Sequence, residues 1–348
     1  MASSESLTKS EDSRTKTVTM GDIAKVAGVT SMTVSRVMQG KSDVSTATRE
    51  KILRIAAELN YTVNRSARAL KTGRTGVVAV ISGNLDQTYH ATMVHHLETE
   101  LNRSGYQMRL LHTHNDMRDL INSTNAASVD GVIVAGMYHV VEEFTALDPN
   151  VFQPCVFIDN LERTNTDHVH IDLRPAVEAA LELMLKAQRQ RIAFVSTFEL
   201  MDQPRFHEAR QETYCKIMER EGRQPELIGL AVRGDISSDE KVEVLKEYIR
   251  TRGCPDAMLC INDGTAILTF RALADLGRRV PDDVLLVGCD NLPFLKYFEP
   301  PLSTIAQPIA EVCHQSWALL QARIANPNLP FQSARFEAQL LARRSLDS

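Results

Sequence analysis

At 348 residues the chain is too long for one small core and suits a small head joined to a two-lobed body. Its 43% hydrophobic and 24% charged content is that of an ordinary globular protein, and no apolar run approaches the roughly 20 residues that a membrane-spanning helix needs. Charge is segregated: residues 14–76 hold 12 Lys and Arg against 4 Asp and Glu, residues 77–348 hold 26 against 37, so contact with phosphates is expected of the first segment only.

Residues 1–16 are polar and charged with no apolar stretch, which reads as a disordered leader and not as a secretory signal. A compact head is expected over 17–62. Thr19 is placed to cap a helix over Met20–Ala27, with Asp22 in its first turn and Ile23, Val26 and Ala27 toward the core. Gly28 supplies the turn, and Thr30 caps a second short helix, about Ser31–Gln39, whose inner stripe is Val34, Val37 and Met38. Ser31, Met32, Thr33, Ser35 and Arg36 are left outside or near the helix start. A third helix, Ser45–Leu59, turns Ile52, Ile55, Ala56 and Leu59 inward.

Two short helices about a glycine turn, followed by a third, make a helix-turn-helix, whose second helix reads base edges in the major groove of DNA. Arg36 has the fork for guanine O6 and N7, the hydroxyls suit phosphates or near base edges, and Met32 offers an apolar contact. From 63 to 75 a hinge is expected. Asn64 caps a short helix there, with Arg65, Arg68 and Lys71 on one face and Leu70 near its end. Such a helix is marginal alone and orders against DNA or a second copy.

The motifs DIAKVAGV from Asp22, TVSR from Thr33, VSTATR from Val44, LNY from Leu59 and NRSARAL from Asn64 resemble the DNA-binding head of the lactose-repressor family. The resemblance implies that hinge helices of two subunits pair in the minor groove and that Leu70 wedges between central base pairs. The family often has Pro two residues after the Tyr; Val63 stands there instead and leaves the entry to the hinge less stiff.

From residue 76 onward apolar strand-like runs alternate with helical stretches: VVAVIS, YQMRLLHT, DGVIVAG, CVFIDN, HVHID, RIAFVST, AMLCIN and VLLVGCDN. That alternation predicts parallel sheets covered on both faces, with ligands at the carboxyl ends of the strands. The expected class is therefore α/β, an all-α head and hinge followed by two parallel-sheet lobes. The body is similar to the family's effector domain, itself like periplasmic sugar-binding proteins. Its markers are AMLCIND, RALADLGRRVPDDV, VGCDN and PLSTIAQP, the last implied to cross back to the first lobe. Lobe 1 is expected over about 76–173 plus 306–330, and lobe 2 over about 174–305 plus 331–345.

By position, the resemblance implies effector contacts from Asn84, Asp86, Tyr89, Asp159, Arg210, Asn262, Asp263 and Asp290. Carboxylates, amides and an arginine suit hydroxyl recognition because they supply directed donors and acceptors. Three departures bear on the effector. Asp172 to Ala176 reads DLRPA where the family often has Asp-Asn-x-x-Gly, Thr213 replaces a Gly, and Cys289 replaces the usual aromatic before Asp290. Arg205, His207 and Arg210 lie close together in sequence, so a sugar acid or sugar phosphate stands beside a neutral sugar as the expected effector.

The pairs His112-x-His114 and His168-x-His170 have no third ligand at a metal spacing and read as structural or solvated. The six cysteines are scattered and read as buried apolar residues of a reducing cytoplasm. No nucleophile elbow, phosphate loop or dinucleotide fingerprint is present, so neither catalysis nor a cofactor is expected. The partners expected are a palindromic double-stranded operator, a small-molecule effector and a second copy, with no membrane. Dimer contacts are expected from first-lobe helices including Thr88–Leu101, and the C-terminus has no heptads for a tetramer. A transport solute-binding protein would share the body and lack the basic head.

Overall fold

The computed structural model describes residues 18–38, 42–61, 73–112, 129–136, 154–159, 166–197, 209–230 and 237–347. The chain divides into two compact units between Gly73 and Arg74. The leader 1–16, the expected hinge helix and the helices expected after the second and third strands lie outside the described residues.

The head is three helices, α1 (Met20–Ala27), α2 (Ser31–Met38) and α3 (Thr46–Glu58). Thr19 and Asp22 form a reciprocal capping box on α1, and Gly28 closes it at φ 68°, a conformation that a Cβ would strain. Ser45 caps α3 through Thr48 N. Ile23, Ala24, Ala27, Val34, Val37, Ile52, Ile55 and Ala56 form the core. Val26, expected inside, is 59% exposed. On so short a helix the buried stripe runs through Ile23, Ala24 and Ala27, and Val26 falls off its edge.

The body contains two six-stranded sheets among its described residues. The first has the order β11-β5-β4-β3-β1-β2, with β1 (Val77–Ser82), β2 (Gln107–His112), β3 (Gly131–Ala135), β4 (Cys155–Asp159), β5 (Asp167–Asp172) and β11 (Ser333–Glu337). The second has the order β12-β10-β9-β8-β6-β7, with β6 (Ile192–Ser196), β7 (Glu226–Gly229), β8 (Ala257–Cys260), β9 (Leu285–Cys289), β10 (Ser303–Ala306) and β12 (Gln339–Leu341). All pairings are parallel except β10 with β12. β3, β5, β6, β8 and β9 are buried along their whole length, as parallel strands covered on both faces must be.

The covering helices are α4 (Thr88–Arg103), α5 (Arg174–Lys186), α6 (Ala209–Arg220), α7 (Ser238–Arg252), α8 (Asp263–Asp275) and α9 (Ile309–Ala325). α9 packs on α4 and on β3, β4 and β5. Its Trp317 donates from Nε1 to Ser104 Oγ at 2.7 Å and meets Tyr106 edge-on.

The chain thus passes from the first lobe to the second after β5, returns after β10, and leaves again between β11 and β12. This corrects the expected lobe boundary. Ser333–Glu337 lies in the first sheet, in register with His168–Asp172, because β5 offers it a free edge. Only β12 joins the second sheet, through β10. β7, β10, β11, β12, α7 and α9 have no counterpart among the strand-like and helical runs expected from the sequence.

Candidate functional site

On α2 the burial divides into an inner and an outer face. Val34 and Val37 are buried, Ser31, Met32 and Arg36 are exposed, and Thr33, Ser35 and Met38 are half-buried. Met32 is 64% exposed, a large apolar side chain held out in solvent. Thr30 and Thr33 are partly committed to the helix start. Thr33 N donates to Thr30 Oγ1 at 3.2 Å, and the two hydroxyls lie 3.0 Å apart. Arg36 makes an ion pair with Asp43, Nη1 to Oδ2, at 3.2 Å. Asn64, Arg65, Arg68, Leu70 and Lys71 lie outside the described residues.

In the body the second-lobe candidates converge at the carboxyl ends of β8, β9 and β10. Arg210, at the start of α6, is buried and donates from Nη1 to the Ile261 carbonyl at 2.5 Å. Asp290 follows β9 with φ 117°, a left-handed conformation that costs a non-glycine residue about 1–3 kcal/mol. The strain is held by Asp290 N donating to Ile305 O at 2.9 Å. Gln307 Nε2 donates to Asp290 Oδ1 at 3.0 Å. Asp290 keeps some exposed surface, yet protein crowds its carboxyl. Burial pushes its pKa up to about 7, with the Arg210 charge opposing and Asp263 reinforcing the rise.

Asp263 departs from its expected role. It is fully buried, and both carboxylate oxygens are taken internally, Oδ2 by Leu292 N at 2.7 Å and Oδ1 by the Thr304 hydroxyl at 2.7 Å. It ties the segment after β9 to β10, with both carboxylate oxygens engaged inside the protein. Gly288 is explained by the same carboxylate: a Cβ there would stand 2.2 Å from Asp263 Oδ1. Gly288→Ala is expected to destabilise the body by about 1–3 kcal/mol through overpacking, read as a lower thermal midpoint. An unchanged midpoint would show that Asp263 is free to swing away.

Asn262 caps α8, its Oδ1 accepting from Thr265 N and Thr265 Oγ1 at 2.8 Å each. That leaves its Nδ2 donors outside the cap. Tyr214, which ends the Arg210 run, is fully buried and donates to Ile192 O at 2.8 Å, a packing role.

The first-lobe candidates sit at the strand ends of the other sheet. Asn84 and Asp86 are exposed after β1, Tyr89 is half-buried at the start of α4, and Asp159 is buried at the end of β4. His168 and His170 are buried within β5. Among the described residues no three His, Cys, Asp or Glu side chains are grouped to hold a metal. Gln307 was not singled out from the sequence; its place one residue after β10, where the chain crosses back, was the available signal.

The profile of bacterial regulatory proteins of the lacI family matches residues 19–64, and that of the periplasmic binding protein-like domain matches residues 181–346. The chain thus carries a lacI-family DNA-binding segment followed by a periplasmic-binding-protein-like domain. The chain is 27% identical over 337 residues to the HTH-type transcriptional repressor PurR of Histophilus somni, covering 94% of this chain and 98% of that one. It is 29% identical over 334 residues to the HTH-type transcriptional regulator PtxS of Pseudomonas aeruginosa, covering 94% and 95%. The Lac repressor dimer bound to operator and the anti-inducer ONPF shares its fold at a TM-score of 0.80 and 24% identity, over 96% of this chain and all of that one. The transcriptional regulator CelR in complex with cellobiose superposes at 0.66 with 25% identity, over 94% and 99%. Among the described residues, no helix is long and apolar enough to cross a membrane.

Proposed function

We propose that this lacI-family regulator is a cytoplasmic homodimer that represses transcription from a two-fold-symmetric operator and is switched by a small effector. The carrying observation is α2: a capped helix with Val34 and Val37 buried and Ser31, Met32 and Arg36 presented to solvent. An exposed methionine beside an arginine on a basic head has no packing role, and it fits an edge-reading surface. Thr30, Thr33 and Ser35 then supply phosphate or near base-edge contacts. In the hinge, Asn64, Arg65, Arg68 and Lys71 follow the phosphates and Leu70 enters the minor groove. Two-fold symmetry of the dimer would match that of the operator, and the Lac repressor of the same fold binds its operator as a dimer.

The effector is proposed to lie between the lobes, held by Arg210, Asp290, Gln307 and Asn262 from one side and by Asn84, Asp86, Tyr89 and Asp159 from the other. A buried cation beside a carboxylate and two amides suits a hydroxylated molecule, and Arg210 extends the class to sugar acids and sugar phosphates. Its binding changes the separation of the two hinges only to the extent that it favours one lobe arrangement over the other.

Selection of DNA from a randomised palindromic pool, repeated with neutral sugars, sugar acids, sugar phosphates and nucleosides, tests both halves. Arg36→Ala is expected to relax base choice at one position of each half-site by about 1–3 kcal/mol. A uniform loss of affinity over all sequences would demote Arg36 to a phosphate contact. Release by nucleosides alone would overturn the sugar class.

A further inference from the structure

The acidic residues of the head are few, and Asp43 is set apart from two of the others. Asp22 spends its carboxylate on the α1 capping box, accepting from Thr19 N and Thr19 Oγ1 at 2.9 and 2.7 Å. Glu58 lies 3.8 Å from Arg54 one turn away on its own helix. Asp43 belongs to the connection between α2 and α3, and its Oδ2 meets Arg36 Nη1 at 3.2 Å, with both side chains about half exposed.

A surface pair of this kind adds little to stability. A carboxylate on the face that meets phosphates also lowers affinity for every DNA sequence. Neither stability nor affinity therefore accounts for an acid at this place.

We infer that Asp43 is the positioning residue that makes Arg36 selective. The inference rests on the reading of Arg36 as a base contact. An arginine swings on a long flexible stem and, unrestrained, reaches phosphates as readily as a base edge. Fixing one amino group against Asp43 leaves the remaining guanidinium donors to address guanine O6 and N7 in one orientation. The carboxylate itself only accepts hydrogen bonds. It tolerates the amino group of a neighbouring cytosine or adenine and repels the acceptor edges of guanine and thymine. Asp43 thus raises discrimination by opposing the wrong sequences as well as by placing the arginine.

The test uses the full chain, the operator selected above, that operator with the Arg36-linked guanine replaced by each other base, and unselected DNA, all at one salt concentration. Asp43→Ala is expected to lower the preference for guanine by about fivefold or more, while affinity for unselected DNA holds or rises. Asp43→Asn, which keeps an acceptor oxygen and removes the charge, is expected to fall between. If both variants raise affinity for all the DNAs by one common factor and leave base preference intact, Asp43 is only a repelling charge and the inference fails. Arg36→Ala in the same series separates the two readings. If it leaves base preference unchanged, the reading of Arg36 is wrong and the inference falls with it. If it relaxes preference at the guanine while Asp43→Ala does not, only the role of Asp43 is overturned.

Discussion

Replacing Arg323 with alanine is expected to destabilise the body by about 3–5 kcal/mol, the range for breaking a buried ion pair by removing one partner. Arg323 on α9 faces Asp167 at the start of β5 in a bidentate pair, Nε to Oδ2 and Nη2 to Oδ1, each 2.8 Å. The side chains are 4% and 1% exposed. The same guanidinium donates to the carbonyls of Pro327 at 2.9 Å, Leu329 at 2.5 Å and Pro330 at 2.9 Å. Alanine leaves a buried carboxylate without its cation and those carbonyls without this donor. The turn that carries the chain from α9 to β11 loses its clamp, and β11 leads directly into the crossing to the second lobe. Lys216→Ala is the control. Its pair with Glu212 is 70% and 45% exposed, and its loss should stay within about 0.5 kcal/mol. Urea midpoints for the two variants decide the matter, and a shift for Arg323→Ala no larger than the control's would show that water reaches Asp167.

How much of this was legible in the sequence depends on how each element is stabilised. β1, β3, β6 and β9 are continuous apolar runs because both faces are covered, and they read as strands from their residues alone. β11 (SARFE) alternates exposed and half-buried residues and includes an arginine, so its strand character comes from pairing with β5 and not from its own composition. α9 is buried against both a helix and a sheet, so its buried residues take up most of its circumference, and only a narrow face with Glu311, His314 and Gln321 is exposed. α7 is the opposite case: its charged residues leave Val242, Leu245 and Ile249 as a thin buried line.

The candidate site shows the same division. The exposed face of α2 was legible because capping and periodicity fix it locally. At Asn262–Asp263 the sequence offers two adjacent polar residues, and only tertiary contacts decide that one caps α8 while the other is consumed between β9 and β10. Gln307 reaches Asp290 across strands, a relation that no local pattern encodes.

Arg210→Ala is expected to weaken effector binding by about 2–5 kcal/mol, the cost of removing a desolvated charged partner from a binding site. The argument concerns Asp290 as much as Arg210. Burial raises the Asp290 pKa to about 7 and the Asp263 pKa to about 6, and the Arg210 charge restrains the first rise. Without Arg210, Asp290 takes up a proton at still higher pH and loses the negative charge that makes it a strong acceptor for an effector hydroxyl.

The sign for stability follows. Both folded pKa values lie above the roughly 4 of an unfolded aspartate, so these two groups favour the folded state most below about pH 4. That contribution is lost as pH rises through 6 and 7. Effector affinity should run the other way. If the effector needs the Asp290 carboxylate, wild-type affinity is full above about pH 8 and falls by up to about tenfold per pH unit below the pKa. Asp290→Asn should bind weakly with little dependence on pH, and Arg210→Ala should move the fall to higher pH. Calorimetric titration of wild type and both variants between about pH 5.5 and about 8.5 measures this directly. A wild-type affinity constant across that range would mean that the effector meets Asp290 in its protonated form or does not meet it at all.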